Sequence, residues 1–522
     1  MTASNNQTDD YIIAIDIGTT AAKIGLLSTD GPRVFSISSK EYPDGILYPR
    51  TSWVESNIEL WWSTVKDLLI KLLESTKIKS SNIVAISMCN TCPSLIPVDK
   101  DGKALRPAIL YMDQRSVQQA KKIRKKIGIT TLSEIAGNRI VPGTFSVTSM
   151  LWIKEEEPDV YKRTYKFVHA NGFFGSKLTE QLAIDPTNAS LTGIFDLKKS
   201  GWSQELYDKI DIDGDKLPDI LWPYEKVGEL SSKVARELGL ERDTPVVIGC
   251  ADSVASALGC GITKSGRVFE TTGTSTVVAV ISKKPKFDTR ILNRCYIYKD
   301  LWLHMGAMST TGGSYKWFKD HLCEAEIAES SRTGKSPYEI LDEKAGKIPP
   351  GSDGLLFLPY MSGERSPVWD PYARGVFFGL SLSHTKEHMI RSILEGVAYG
   401  LRNNLEIIES IGVNLDEIRA SGAASKSNLW RQIKADVLNK KIAVSNVKDS
   451  TMIGCAILAG HATGVYNNIL ETAEKFYYDI ENVNFPNEKT NRKYEKYYQI
   501  YRKAYKRFKS MYKELAILNC NE

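Results

Sequence analysis

The sequence predicts an α/β protein built from two domains of related topology that face each other. Three observations carry this. A chain of 522 residues is too long for one ordinary core. Strand-like and helix-like segments alternate along it. The order of three strands, a helix, a strand and a helix is traced twice, once in each half. Hydrophobic residues make up 42% and charged residues 25%, as in a globular protein with a large core.

The first half opens with Tyr11–Leu27, YIIAIDIGTTAAKIGLL, two apolar runs joined at Asp16 and Gly18-Thr19-Thr20. This reads as a β-hairpin. A third strand follows near Arg33–Ser39. Ile58–Leu73 places Trp61, Trp62, Val65, Leu68, Leu69 and Leu72 at helical spacing. Asn82–Met88 is a short apolar strand, and Val147–Glu156 and Gly172–Thr179 read as helices. Pro245–Gly249 is a buried strand leading into a helix at Ala251–Gly259. The second half restarts with strands at Arg267–Thr271 and Thr276–Ser282, then a strand near Leu301–Met305 and a helix near Gly313–Leu322. Beyond the Pro/Gly-rich stretch Ile348–Asp370 come a long helix, Lys386–Ile411, and a strand, turn and helix at Ile418–Leu438. The expected division is 1–260, 261–485 and a basic C-terminal helix at 486–522.

Composition narrows the function classes. The net charge of +6 is small, and its excess lies in Lys489–Lys513, where Lys and Arg alternate with Tyr. That pattern predicts a solvated helix whose tyrosines pack on the body, not a nucleic-acid surface. The cysteines are sparse, which predicts free thiols in a reducing, cytoplasmic setting. Cys89 and Cys92 form a C-x-x-C without a second pair or a nearby histidine, so neither zinc nor redox chemistry is expected there. The opening MTASNNQTDD is polar and acidic, unlike a signal peptide. No apolar run reaches the roughly twenty residues of a membrane span.

Four segments carry chemistry. At Asp16, Gly18, Thr19, Thr20 and Lys23, turn N–H groups and hydroxyls suit a phosphate oxygen, and Asp16 suits the accompanying cation. Glu270–Thr276 repeats the design, with Gly273, Thr274 and Ser275 at its turn. Each turn alone is equally well a plain hairpin. One turn opening each half points to a nucleoside triphosphate between two walls. Neither is a Walker loop. Asp252 in Gly249–Ser253 lies between a strand and a helix, placed either to cap the helix or to take a proton from a hydroxyl attacking phosphorus. Ser421–Ser427, with small residues before a helix, leaves room for a flat ring; Thr311-Gly312-Gly313 is a comparable helix entry.

These motifs together resemble the FGGY carbohydrate kinases, a branch of the actin/hexokinase-like ATPases. AIDIGTTAAKIGLL is similar to the family's first phosphate motif, Thr272–Ser275 to its second and Ser421–Ser427 to its adenosine motif. Gly375–Leu380, His388-Met389 and Ser392–Glu395 fit its C-terminal signature. Ser362-Gly-Glu-Arg-Ser-Pro367 is typical of the xylulokinase-like branch. The resemblance runs over roughly residues 10–465.

It implies two ribonuclease-H-like domains around a central cleft that closes on substrate, and ATP- and Mg²⁺-dependent phosphorylation of a sugar or polyol hydroxyl. Asp252 is then the general base and Asp16 the residue nearest the metal. Gly18, Thr19, Thr20, Lys23, Gly273, Thr274 and Ser275 fall at the phosphates, and Gly312, Gly422, Ala423 and Ser427 at the nucleotide. Asp113, Cys92, Pro93, Asp252 and Ser253 fall on the sugar side. A homodimer is compatible with it; neither nucleic acid nor a membrane is implied. The departures lie on the sugar side. Thr91-Cys92-Pro93-Ser94 stands where xylulokinases carry Gln-Met-His-Gly and glycerol kinases Arg-Glu. Phe145 and Leu151-Trp152 keep the N-terminal signature, but Ser149 replaces its lysine. Asn171-Gly172-Phe173 replaces a Lys-Asp-Tyr, while Asp113 and Arg115 are retained. The expected substrate is a pentulose, D-xylulose first, with ribulose, gluconate, glycerol or erythritol as alternatives. From another class, an actin- or chaperone-like nucleotide-switch ATPase predicts slow hydrolysis without a sugar and no need for Asp252.

Overall fold

A computed structural model describes residues 10–31, 33–445, 449–476 and 480–520. The polar segment at residues 1–9 lies outside them. In the first half the central strands are β1 (Tyr11–Ile17), β2 (Ala21–Ser28), β3 (Val34–Glu41), β4 (Ile83–Asn90), β5 (Lys226–Glu229) and β6 (Pro245–Ala251). They form one sheet in the order β5-β6-β4-β1-β2-β3. β1, β2 and β3 are an antiparallel meander, and β4 and β6 run parallel to β1. The second half supplies β7 (Arg267–Thr272), β8 (Thr276–Ser282), β9 (Leu292–Cys295), β10 (Trp302–Met308), β11 (Glu417–Ser421), β12 (Lys441–Ser445) and β13 (Ile480–Asn484). Their order is β9-β10-β8-β7-β11-β12-β13. Again a meander (β7, β8, β10) is followed by strands parallel to its first member (β11, β12). The repeated strand order anticipated in the sequence is present in both halves. The third strand of the second half arrives after β9, which the sequence reading passed over.

Strand alternation sorts the core. Ile13 and Ile15 of β1 face α1 (Ile58–Thr76) and α2 (Ala170–Thr179), where Trp61, Leu69, Phe173 and Phe174 are buried. Ile12 and Ala14 face the other side, with α3 (Asp252–Gly259) and α7 (Ser450–Ala462). α7 comes from the second half yet packs on β1, β4 and β6. Its backbone nearly touches α3. A Cβ on Gly259 would lie 1.9 Å from Ser450 O, and one on Gly454 would lie 2.1 Å from Ala255 O. The same apolar cluster includes Phe269 and Ile281 of the second sheet, so the largest core belongs to the seam between the sheets.

In the second half, α4 (Gly312–Leu322), α5 (Lys386–Ser410) and α6 (Asn428–Leu438) complete the layers. Leu401, Leu405 and Ile408 of α5 meet Val268, Val278 and Ile418 of the sheet. α8 (Glu488–Cys520) packs on the other side of α5. Its tyrosines turn inward and its lysines outward. Tyr494 donates to Glu395 at 2.9 Å, Tyr498 to Glu406 at 2.8 Å and Tyr505 to Asp370 at 3.1 Å. Glu395 also accepts from Arg391, Gly351 N and Ser352. The last residue of the C-terminal signature is thus a buried hub that ties α5, a loop and α8 together.

Candidate active site

The site grows from strand ends. β1, β4 and β6 are parallel, so their carboxyl ends deliver Asp16, Thr91-Cys92 and Asp252 to one edge of the first sheet. β7 and β11 deliver Thr272-Gly273 and Ser421-Gly422 to the matching edge of the second. One glycine sets the last turn before Asp252. Gly249 has φ +66°, and a Cβ there would sit 1.6 Å from Met88 O. The ladder between β6 and β4 shifts register across it. Only glycine allows the kink that brings Cys250–Asp252 to the site.

Asp252 Oδ1 accepts from Ser253 N at 2.6 Å, so the carboxylate is oriented by its own helix start. The N-cap position itself is Ala251, without a side-chain cap. Burial raises the Asp252 pKa; Ser253 N–H and the nearby Arg294 oppose this. Asp16 is pushed up to about 6, first by burial and then by the like charge of Asp252, with Lys23 pulling the other way. Two carboxylates that resist ionising side by side suit a site that receives a cation. Among the described residues no group of three acidic, histidine or cysteine side chains could hold a metal unaided. One carboxylate plus phosphate oxygens is how Mg²⁺ is commonly held in such sites.

In the first turn, Gly18 N donates to Ala21 O at 3.1 Å and Tyr42 N to Thr20 O at 2.9 Å. Thr19 and Thr91 share a hydroxyl hydrogen bond of 2.8 Å, linking this turn to the loop after β4. Lys23 is paired with Asp449, at 2.6 Å, at the start of α7. It therefore spans the seam between the halves.

The second turn is assembled from three segments. Gly273 N donates to Ser275 O at 3.0 Å, and Thr311 N and Gly313 N both donate to Thr274 O, at 3.0 and 2.9 Å. A Cβ on Gly312 would lie 2.2 Å from Gly273 O, and one on Gly422 would lie 2.8 Å from Thr272 O. Gly273, Thr274, Ser275, Gly312 and Gly422, far apart in sequence, thus meet. Ala423 follows on the exposed rim. Ser427 accepts from Trp430 N at 3.0 Å and caps α6, so its hydroxyl serves the helix. Beneath the turn, Lys434 of α6 pairs with Glu270 at 2.7 Å, and Thr272, Thr276 and Thr311 continue the network.

On the sugar side, the Cys92–Pro93 peptide is cis. Cys92 Sγ lies 3.8 Å from His169 Nδ1, and His169 also meets Asn188 and Ser146. Burial lowers the His169 pKa to about 4, so the ring is neutral at ordinary pH. Cys89 instead points its thiol to Asp16, at 3.5 Å. The two cysteines of the C-x-x-C diverge, and both are free, as are Cys250, Cys260, Cys295, Cys323 and Cys455. Asp113 differs from its assignment to the sugar. It is buried, accepts from Val54 N at 2.6 Å and holds Arg115 through both oxygens. Its acceptors are spent on fastening a loop, with Arg115 stacked 3.9 Å from the Trp53 ring.

Three residues not singled out in the sequence stand at the site. Arg294 of β9 donates to Ser253 Oγ at 3.3 Å. Arg365 donates to Met308 O at 3.2 Å and lies near Tyr111, which bonds Thr19. Glu364 accepts from Ser309 N and Arg365 N, and burial lifts it to about 7. No local signal marked Arg294, because the four-residue strand that carries it, Leu292–Cys295, has no sequence pattern of its own. For Glu364 and Arg365 the signal was their motif.

Residues 11–259 match the N-terminal domain of the FGGY family of carbohydrate kinases, and residues 269–463 match its C-terminal domain. The chain belongs to the FGGY family. It is 34% identical to a gluconokinase of Bacillus subtilis over 87% of this chain and 88% of that one. It is 30% identical to the Bacillus subtilis xylulose kinase, over 89% and 91%. The ligand-bound xylulose kinase of Lactobacillus acidophilus superposes with a TM-score of 0.89 at 26% identity, covering 97% of this chain and 100% of that one. The protein is therefore a sugar phosphotransferase with the actin/hexokinase-like fold, and FGGY kinases use ATP. Among the described residues no helix is long and apolar enough to cross a membrane.

Proposed function

We propose that this FGGY kinase phosphorylates a hydroxyl of a small open-chain sugar in the cleft between its two sheets, with Asp252 as general base. The observation that carries this is the placement of Asp252. It stands at the carboxyl end of β6 with a raised proton affinity and one oxygen fixed by Ser253 N–H. Asp252 takes the proton of the acceptor hydroxyl. That oxygen forms a bond to the γ-phosphorus, and the bond from phosphorus to the β–γ bridging oxygen breaks, releasing ADP. The turns at Gly18–Thr20 and Gly273–Ser275 give backbone N–H groups and hydroxyls to the phosphates. Arg365 adds a positive charge opposite Thr19 and Tyr111. Gly312, Gly422 and Ala423, with no side chain larger than a methyl, leave room for the nucleoside against the backbone. Mg²⁺, when bound with ATP, neutralises triphosphate charge; Asp16 is the residue that would hold it, and the mutual repulsion of Asp16 and Asp252 suits that role.

The acceptor lies between Asp252, Ser253 and the Cys92-Pro93 loop. D-xylulose is the acceptor expected from the sequence, and gluconate is the other suggested by relatives. The test is ADP release across ketoses, polyols and sugar acids, with mass detection of the phosphorylated product. Sugar-dependent ADP release with a matching product supports the proposal. ATP hydrolysis that no acceptor accelerates contradicts it and favours the nucleotide-switch ATPase.

A further inference from the structure

The acceptor side holds a charge that the chemistry above does not use. Arg294 is 3% exposed, yet no carboxylate lies within ion-pairing distance of it among the described residues. Its one side-chain hydrogen bond goes from Nη1 to Ser253 Oγ, at 3.3 Å, and its Nε is buried without an acceptor. A guanidinium stays charged at any relevant pH. Burying one without an anion is costly, so such a group is kept where a ligand completes it.

Its position is fixed from both sides. β9 is the edge strand of the second sheet, and Arg294 is paired with Leu303 in β10. The neighbouring N–H groups are taken by the first half of the chain. Asn293 N donates to Asn138 Oδ1 at 2.9 Å, and Cys295 N donates to Ser190 Oγ at 3.0 Å. The arginine is thus held across the seam, and its charge is felt by Asp252, Cys92 and His169. These are the groups around the acceptor.

We infer that Arg294 determines substrate class: the acceptor carries a carboxylate, which the unpaired Nε edge of Arg294 binds, so the chain phosphorylates a sugar acid in preference to a neutral ketose or polyol. The inference rests on the kinase reading above. The flat fork of arginine suits the two oxygens of a carboxylate. A phosphate on the sugar offers the same kind of contact but brings further charge next to Asp16 and Asp252, which favours the carboxylate. Arg294 also lies near the base. A role limited to tuning Asp252 affects all acceptors alike, whereas recognition of a carboxylate affects only acids.

The test compares kcat/KM for C5 and C6 aldonates, the neutral ketoses and polyols of the same length, and sugar monophosphates. The wild type and the variants Arg294→Gln and Arg294→Lys are measured, with folding checked by circular dichroism. The wild type is expected to favour an aldonate over its neutral counterpart about a hundredfold or more. Arg294→Gln abolishes that preference by losing activity on the aldonate, and Arg294→Lys falls between. A wild type that prefers a neutral acceptor overturns the inference and leaves the kinase reading standing. So does a proportional loss on all acceptors in Arg294→Gln. Preference for a sugar phosphate replaces the carboxylate and also overturns it. If no acceptor is phosphorylated, aldonate-induced thermal stabilisation of the wild type but not of Arg294→Gln keeps the binding of a carboxylate by Arg294, while the kinase reading, and with it the preferred phosphorylation of an acid, fails. Absence of that stabilisation removes both.

Discussion

Asp16 is a place where function is set against stability, and Asp16→Asn measures the conflict. Burial and Asp252 lift its pKa from 3.8 to about 6 in the folded chain. The folded state therefore holds this proton more tightly than the unfolded state does. Stability contributed by the proton is present at low pH and is lost as pH rises from about 4 through about 6. A shift from 3.8 to about 6 corresponds to about 3 kcal/mol at neutral pH. Asparagine keeps the shape and removes the charge. The ligand-free variant is therefore predicted to be more stable than the wild type at pH 7.5 by up to about 3 kcal/mol, a rise in Tm of about 3–6 °C. Between pH 4 and 6 the wild type should lose more stability than Asp16→Asn, the difference between the two curves being the contribution of Asp16. Mg²⁺ with ATP should stabilise the wild type more than the variant, because only the wild type offers the cation the Asp16 carboxylate. The assay is thermal unfolding over pH 4–8, with and without EDTA. A variant no more stable than the wild type at pH 7.5, with the same slope from pH 4 to 6, refutes the electrostatic account of the site.

Two further substitutions test the scaffold. Gly249→Ala forces a Cβ into Met88 O at a left-handed φ, and should cost at least about 3 kcal/mol, read as a fall in Tm or loss of folded protein; unchanged Tm contradicts the role given to the kink. Lys434→Met strands Glu270 under the second phosphate turn, costing about 3–5 kcal/mol and raising the KM for ATP. Adding Glu270→Leu should restore much of the stability without restoring that KM. Recovery of both would show that the pair serves folding alone.

The fold was legible because periodicity and turn chemistry are local. Tyr11–Ile17 and Arg267–Thr272 read as strands from their own residues, and the repeated order of elements implied two like sheets. What remained hidden depends on distant segments. Helix Ser450–Ala462 is apolar on all sides because it is buried in the seam, so it shows no amphipathic stripe. Strand Leu292–Cys295 is four residues long with Asn293 and Arg294 inside it, and nothing local marks it as an edge that reaches the acceptor. The phosphate turns were visible as glycine-threonine motifs. Asp113 shows the opposite failure. It was retained with the family motif, yet its oxygens are spent on Arg115 and Val54, a burial that sequence cannot display. Lys23 likewise was placed with the phosphates, and its partner Asp449 lies 426 residues away.

The central claim is that Asp252 removes the proton from the acceptor hydroxyl. Asp252→Asn keeps the size of the side chain and an acceptor oxygen for Ser253 N–H while removing the base. ADP release should be measured with the best acceptor, alongside ATP binding by calorimetry. The account predicts a fall in kcat of about a hundredfold or more with ATP affinity retained. Full sugar-dependent activity in Asp252→Asn would contradict it.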